Sequence, residues 1–260
     1  MYKYWTVFKL TIKECFVYRL NFILWRLRMF LSFIVTFFIW STVFESRTTF
    51  AGYGKSSLLS YILLANLTAN FVLGTRTVDI AGDINSGQII NLLLRPLSFF
   101  KYYLTRDLAD KLLNMFFATF EITLLILLFN IRLVPLKNPA LFLVFFVNGI
   151  FISFYINLII SFLGFWTTET WAPRFIFMAL IYFLSGSYFP LDLLPSTLYH
   201  LLLLTPFPYL FYLPVKTLIG NVDQLIYFQL FLSFLWVLIA SKLSYKLWKL
   251  GNKSFSFWGR

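Results

Sequence analysis

Long apolar runs alternate with short polar ones along this chain. The apolar runs occupy roughly 22–44, 58–74, 112–131, 140–166, 172–189 and 225–243. Each approaches the ~20 residues that a helix needs to cross a ~30 Å hydrocarbon core. The pattern predicts one all-α polytopic unit over residues 1–260, with six transmembrane helices. Residues 1–20 have a different rhythm. Trp5, Phe8, Ile12 and Phe16 recur at helical spacing, while Thr6, Lys9 and Lys13 take another face. That predicts an N-terminal amphipathic interfacial helix. It is not a secretory signal, because the charged region is too long and no small-residue cleavage site follows.

The stretch from Ser185 to Pro214 departs from the simple alternation. It stays apolar yet carries Gly186, Pro190, Pro195, Pro206, Pro208 and Pro214. Each proline removes a donor and clashes with the preceding turn, and lipid cannot satisfy the freed carbonyls. A straight span is therefore excluded. Short re-entrant or extracytoplasmic helices over 190–214 are expected instead, between the fifth and sixth spans. Residues 75–111 form the longest charged segment. Gly82 and Ser86-Gly87 break it, and Arg95-Pro96 stops a short apolar-faced helix at 88–94, since the residue before proline resists the α conformation.

Composition narrows the class. Of 260 residues, 60% are hydrophobic and 22% aromatic, and only 12% are charged against about 25% in soluble domains. The net charge of +12 could suggest nucleic acid. Its placement favours a lipid bilayer instead, because the basic residues flank the apolar runs. Of 22 Lys and Arg, only Arg47, Lys55, Arg132, Lys137 and Lys216 fall on one side of a six-span arrangement. The other side receives the rest, including Arg174 and the tail cations Lys242, Lys246, Lys249, Lys253 and Arg260. By the positive-inside rule both termini are cytoplasmic, in a multi-pass protein of the cell inner membrane.

Polar residues inside the apolar runs are the candidates for function. Asn66 and Asn70 lie in the second run and Asn157 in the fourth; such side chains face other helices rather than lipid. Glu121 is the one acid inside an apolar run. It is expected to be protonated, paired, or facing a wet cavity on a substrate path or subunit interface. Arg26 and Arg28 fall at the start of the first run and can snorkel to the headgroups. Catalytic chemistry finds no support. One cysteine, Cys15, and one histidine, His200, leave no metal-ligand spacing and no nucleophile–base set. Gly52-Tyr53-Gly54-Lys55-Ser56 is too short for a phosphate-binding loop.

Two blocks carry a resemblance. Asp83–Ser98 reads DINSGQIINLLLRPLS, and Ser185–Leu210 reads SGSYFPLDLLPSTLYHLLLLTPFPYL. Together they resemble the permease subunit of ABC-2 type transporters, in the subgroup with a Ser-Gly…Leu-Leu-Arg-Pro-x-Ser cytoplasmic loop. The resemblance implies an exporter subunit with no cofactor of its own. ATP and magnesium would be held by a partner ABC ATP-binding subunit, and a second permease, identical or paralogous, would complete the channel. It implies that 75–111 holds a cytoplasmic coupling helix, with Asp83, Asn85, Ser86, Gly87, Gln88 and Arg95 meeting the ATPase together with Glu169. It implies further that Gly186, Phe189, Pro190 and Pro195 cap the path outside. The many aromatic residues suit an amphipathic, lipid-like or drug-like substrate. The alternative is an ion-coupled secondary transporter or a membrane lipid-handling protein, against which stand the single embedded acid and the lack of an internal repeat.

Overall fold

The computed structural model describes residues 2–220, 222 and 224–254. The expected tail cation Arg260 lies outside them. Helix α1 (Tyr2–Val17) passes almost directly into α2 (Arg19–Val43). A two-stranded hairpin, β1 (Thr49–Phe50) and β2 (Tyr53–Gly54), leads into α3 (Lys55–Leu73). Short helices α4 (Asp79–Asn85) and α5 (Ile89–Leu93) precede the long α6 (Phe99–Phe129). Then come α7 (Pro139–Ser161), which a 3-10 turn extends to Phe165, and α8 (Trp171–Leu184). Helices α9 (Ser196–Leu203), α10 (Tyr212–Ile219) and α11 (Ile226–Ser254) complete the chain.

Among the described residues, five helices are long and apolar enough to cross a membrane: α2, α3, α6, α7 with its extension, and α11. Helix α8 has 14 residues, about 21 Å of helix at 1.5 Å per residue. The expected run at 172–189 is thus helical only to Leu184. Helix α6 differs in the other direction. It begins at Phe99 rather than near 112 and has 31 residues, about 46 Å of helix, so its base extends well past a ~30 Å apolar layer. The last third of the expected polar loop is therefore the foot of a span.

Helices α3 and α7 form the centre. Tyr61, Ile62 and Leu63 are successive and nearly inaccessible, so α3 is covered on every side. Helices α2, α6 and α11 lie outside and expose residues such as Phe116, Phe120, Leu127 and Phe231, as suits lipid-facing surfaces. A second apolar cluster sits apart at the foot of the bundle. Ile80, Ile84, Ile89 and Leu92 of α4 and α5 pack there on Phe99, Tyr103, Phe154, Phe162 and Phe165, with Trp248 against it. Phe99 and Trp248 stack at 3.9 Å between ring centroids. A Cβ on Gly251 would come within 2.2 Å of the Phe165 ring, so glycine lets α11 close on this cluster.

Helix α1 tracks the foot of α6 in the same direction. The Ser98 backbone N–H donates to the Tyr4 hydroxyl, Lys3 donates to the Pro96 carbonyl, and Glu14 pairs with Arg106. Thr11 and Cys15 form its buried stripe, whereas Trp5 and Phe16 are exposed. The apolar face expected from sequence is thus turned partly away from the protein. Polar pairing to α6 sets the rotation of the helix.

At the opposite end, the proline-rich stretch inserts and returns from the same side. Helix α9 descends until the Leu204 carbonyl accepts from the Trp236 indole, well inside α11. The chain turns at Phe207–Tyr209, and α10 climbs back between α3 and α7. Residues Tyr209–Leu213 and Val215 are almost fully inaccessible. Gly149 of α7 permits this approach, since a Cβ there would meet the Tyr209 carbonyl oxygen at 2.9 Å. Helix α10 ends where the Asn138 amide donates to the carbonyls of Thr217 and Gly220.

Candidate functional site

Three groups of expected residues fall in three places. The first is the short-helix surface at the foot. Asp83 accepts from the Tyr103 hydroxyl at 2.9 Å. The Asn85 amide donates to the Thr168 carbonyl at 3.2 Å, which brings the end of α4 beside the exposed Glu169. Ser86 bonds within α4, to the Gly82 carbonyl. Gly87 has φ +73° and turns the chain from α4 into α5, a conformation that favours glycine. Gln88 and Arg95 are exposed at the two ends of α5. The inward side of α4 and α5 is apolar and buried, and Gly164 lets the 3-10 turn press on Ala81, whose backbone a Cβ on Gly164 would meet at 3.1 Å. The outward side carries Gln88, Asn91 and Arg95 together with bare Leu93 and Leu94, the latter 81% exposed. This is a small, firmly seated platform with an amphipathic outer face.

The second group is intramembrane. Arg26 does not snorkel. It is buried and forms a two-pronged pair with Glu121: Nε donates to Oε1 at 2.8 Å and Nη2 to Oε2. Its Nη1 donates to Asn70 Oδ1 at 3.2 Å. Glu121 is therefore the paired carboxylate of the three expected options, and α2, α3 and α6 meet at this point. Asn66 sits one turn from Asn70 and donates to the Ile62 carbonyl of its own helix. Asn157 belongs elsewhere. Its Oδ1 accepts from Arg174 at 3.1 Å, and the same guanidinium donates to Ser161 Oγ at 2.5 Å.

A belt of charge surrounds these points, and sequence reasoning passed over most of it as loop. Lys111 is inaccessible and donates to the carbonyls of Val72, at 2.8 Å, and Gly74, closing the C-terminal end of α3. It pairs with Asp107 one turn back, at 3.2 Å. Arg76 holds Asp110 at 3.0 Å and donates to the Cys15 sulfur at 2.7 Å. Burial pushes the Cys15 thiol above its ordinary value, further than Arg76 pulls it down. Arg106 joins Glu14 to Asp79. The available signal was charge balance: an Arg and a Glu embedded in separate apolar runs must find each other.

The third group closes the opposite end. Gly186 has φ +77°, and an added Cβ would stand 2.7 Å from the Tyr61 hydroxyl. That hydroxyl donates to the Gly186 carbonyl at 2.6 Å. The Ser185 carbonyl accepts from the Tyr212 N–H and the Tyr188 carbonyl from the Trp40 indole. Phe189 packs on the main core. Pro190 is buried at the start of a 3-10 turn, and the exposed Pro195 starts α9. Asp192 on that turn accepts from Tyr53 of the hairpin at 2.7 Å and pairs with Lys216 of α10. Burial first, and Asp192 second, push the Tyr53 phenol well above its ordinary value, so it stays a donor.

Among the described residues, no cluster of three or more His, Cys, Asp or Glu could hold a metal ion. A family model described as "ABC-2 family transporter protein" matches residues 30–259. No curated protein matches the sequence significantly.

Proposed function

The chain belongs to the ABC-2 transporter family, and on that premise we propose that it is the permease of an ATP-driven exporter. Members of the family are transport membrane subunits that generally lack an ATPase site of their own. The energy comes from a separate ATP-binding subunit that holds ATP and magnesium. The observation that carries this reading is the α4–α5 platform. Its inner face is cemented to the feet of α6, α7 and α11 by a dedicated apolar cluster, so a push on the platform moves three spans together. Its outer face leaves Leu93 and Leu94 bare together, rimmed by Gln88, Asn91 and Arg95, the arrangement that suits a docking partner. The partner seats on Ser86–Gln88 and Leu93–Arg95, with Glu169 at the margin.

Orientation follows from charge. The foot, with α1 and the tail, is the cytoplasmic side, and both termini are there. The sixth crossing is α8 continued by residues 185–188. Its depth is marked at one end by Arg174 beside Ser161 and at the other by Tyr188 beside Trp40. The inserted α9–α10 hairpin then closes the outer side, and a second permease completes the path. Substrate moves outward, and the many aromatic residues suit an amphipathic one.

The test is a mild-detergent pull-down of the chain from its native membrane, repeated with Leu94→Asp/Arg95→Glu. A P-loop ATPase should accompany the wild type near one to one and be lost from the variant, with insertion unchanged. A second permease in the same pull-down fixes homodimer or heterodimer. No ATPase under several gentle conditions, with transport that collapses alongside the proton gradient, would overturn the reading in favour of ion coupling.

A further inference from the structure

A cavity of about 670 Å³ lies between α1, α2, the foot of α6 and α8. Helices α2 and α8 meet where the Tyr182 hydroxyl reaches the Met29 sulfur at 3.9 Å. Toward the foot, Trp25 and Arg28 of α2 face the space from one side, and Trp171 and Phe175 of α8 from the other. Trp25, Trp171 and Phe175 are all exposed, and the last two stack at 5.3 Å.

The lining is divided by polarity. Phe22, Trp25, Phe175 and Met178 form an apolar side, while Arg76, Asp110, Asn114 and Arg174 give a polar inner end. Charge is divided as well. The three acids of the lining are already matched: Asp110 by Arg76, and Glu14 and Asp79 by Arg106. Four arginines line the cavity against these three acids, so one positive charge is in excess. Among the described residues neither Arg28 nor Arg174 forms an ion pair. Arg28 lies over the Trp25 ring at 4.3 Å. Arg174 is 8% exposed, and its guanidinium donates to the neutral oxygens of Asn157 and Ser161, with the Asp79 carboxylate acting on it only at longer range. A guanidinium has five N–H donors, and a buried cation without a carboxylate in contact is expensive.

We propose that this cavity binds one anionic amphiphile: a lipid with a phosphate or carboxylate headgroup held between Arg174 and Arg28, and an acyl chain leaving between α2 and α8. The volume fits a headgroup and the upper part of a chain. The exposed tryptophans suit the headgroup level of a bilayer. The site is built from this chain alone, so it stands or falls independently of export.

The experiment is native mass spectrometry of the full chain in neutral detergent, titrated without nucleotide or partner. The probes are phosphatidylglycerol, phosphatidylcholine of matched chains, and glycerol 3-phosphate. One tight equivalent of phosphatidylglycerol is expected, with phosphatidylcholine at least ~10-fold weaker and glycerol 3-phosphate weaker still. Arg174→Gln should weaken phosphatidylglycerol at least ~10-fold. Met178→Trp, which fills the apolar side, should also reduce it and decides the matter if Arg174→Gln fails to fold. Equal binding of the two lipids overturns the proposal, and so does phosphatidylglycerol binding untouched by Met178→Trp. Glycerol 3-phosphate binding as tightly as the lipid would overturn the amphiphile and leave a plain anion site. Loss of the ATPase pull-down would leave all these outcomes unaffected.

Discussion

At the foot of the bundle, arginines and a lysine are matched to carboxylates across α1, α2, α4 and α6. At the hairpin end, Tyr61, Trp40 and the Tyr212 N–H are matched to backbone carbonyls of a broken helix. Both solve the same problem, polar groups away from water. Side-chain ion pairs join one helix to the next and can be exchanged by a small slide. Bonds to the carbonyls of Ser185–Tyr188 exist because those carbonyls have lost their helical donors. They have no substitute partners in lipid. In the proposed mechanism this makes the hairpin end the fixed closure and the foot the part that is driven.

The largest effect should come from the fixed end. At Gly186 a side chain meets both a positive φ and the Tyr61 hydroxyl at 2.7 Å. Gly186→Val should cost more than ~3 kcal/mol, the sum of left-handed strain and overpacking. It should give no monodisperse protein on size exclusion. A well-behaved Gly186→Val that melts like wild type would show that the hairpin end relaxes as freely as the foot.

The next effect tests the exchangeable end. Arg26→Leu leaves Glu121 without its cation and should cost about 3 kcal/mol. Adding Glu121→Leu should restore most of that, because an apolar pair of similar bulk is nearly neutral where a lone charge is not. Thermal melting of both proteins in detergent reads this directly. A double variant as unstable as the single would mean that Arg26 stabilises through its bonds to Asn70, at 3.2 Å, and to Asn114, at 3.4 Å or more, rather than through the acid.

A smaller effect lies at the Lys216–Asp192 ion pair of the hairpin end. Tyr53→Phe removes the bond to Asp192 and should cost about 1 kcal/mol. Its signature is in alkali. The folded phenol sits above its ordinary value of 10.0, so its contribution is complete below about pH 10 and is lost as pH rises beyond it. Wild type should therefore lose more stability between about pH 10 and 11 than Tyr53→Phe. Parallel losses would mean that Lys216 and Asp192 hold each other without the phenol.

The contrast between the ends was unequally legible in the sequence. Prolines, Gly186 and the apolar run around them announce a broken, inserted segment, because breaking a helix is a local property. Helix α5 was legible for the same reason, through Gly87 and Arg95-Pro96, whereas α4 was not, since Gly82, expected to break the chain, lies inside that helix. The partners of Arg26, Arg174 and Lys111 were not. Which helices adjoin is set by packing far along the chain, and the tail of an apolar run gives no sign that a span continues. Helix α6 is the clearest case: Asp107, Asp110 and Lys111 read as loop residues and are in fact one face of a span. Asn66 and Asn157 lie inside helices as expected, yet Asn66 bonds within its own helix and Asn157 holds Arg174 rather than Glu121, because spacing along one helix does not fix its rotation against the next.

The smallest predicted effect is the most informative about motion at the foot. Cys15 is 2% exposed, and its thiol is pushed above the ordinary value by burial. Both features suppress the thiolate that reacts. In the resting chain, maleimide should modify Cys15 at least ~10-fold more slowly than a free thiol at about pH 7.5, and its rate should still be climbing where a free thiol levels off. Cys15→Ala should change the melting temperature little, since Arg76 keeps its stronger pair with Asp110. If the foot is the driven end, α1 must shift along α6 during the cycle, and the contacts Arg106–Glu14 and Arg76–Cys15 must break and re-form as it does. Labelling should then accelerate when the partner ATPase and ATP are supplied. Equal labelling with and without ATP would place α1 among the fixed parts and confine the driven region to α4 and α5. Fast labelling of the resting chain would mean that the polar contacts to α6 do not hold the helix at all.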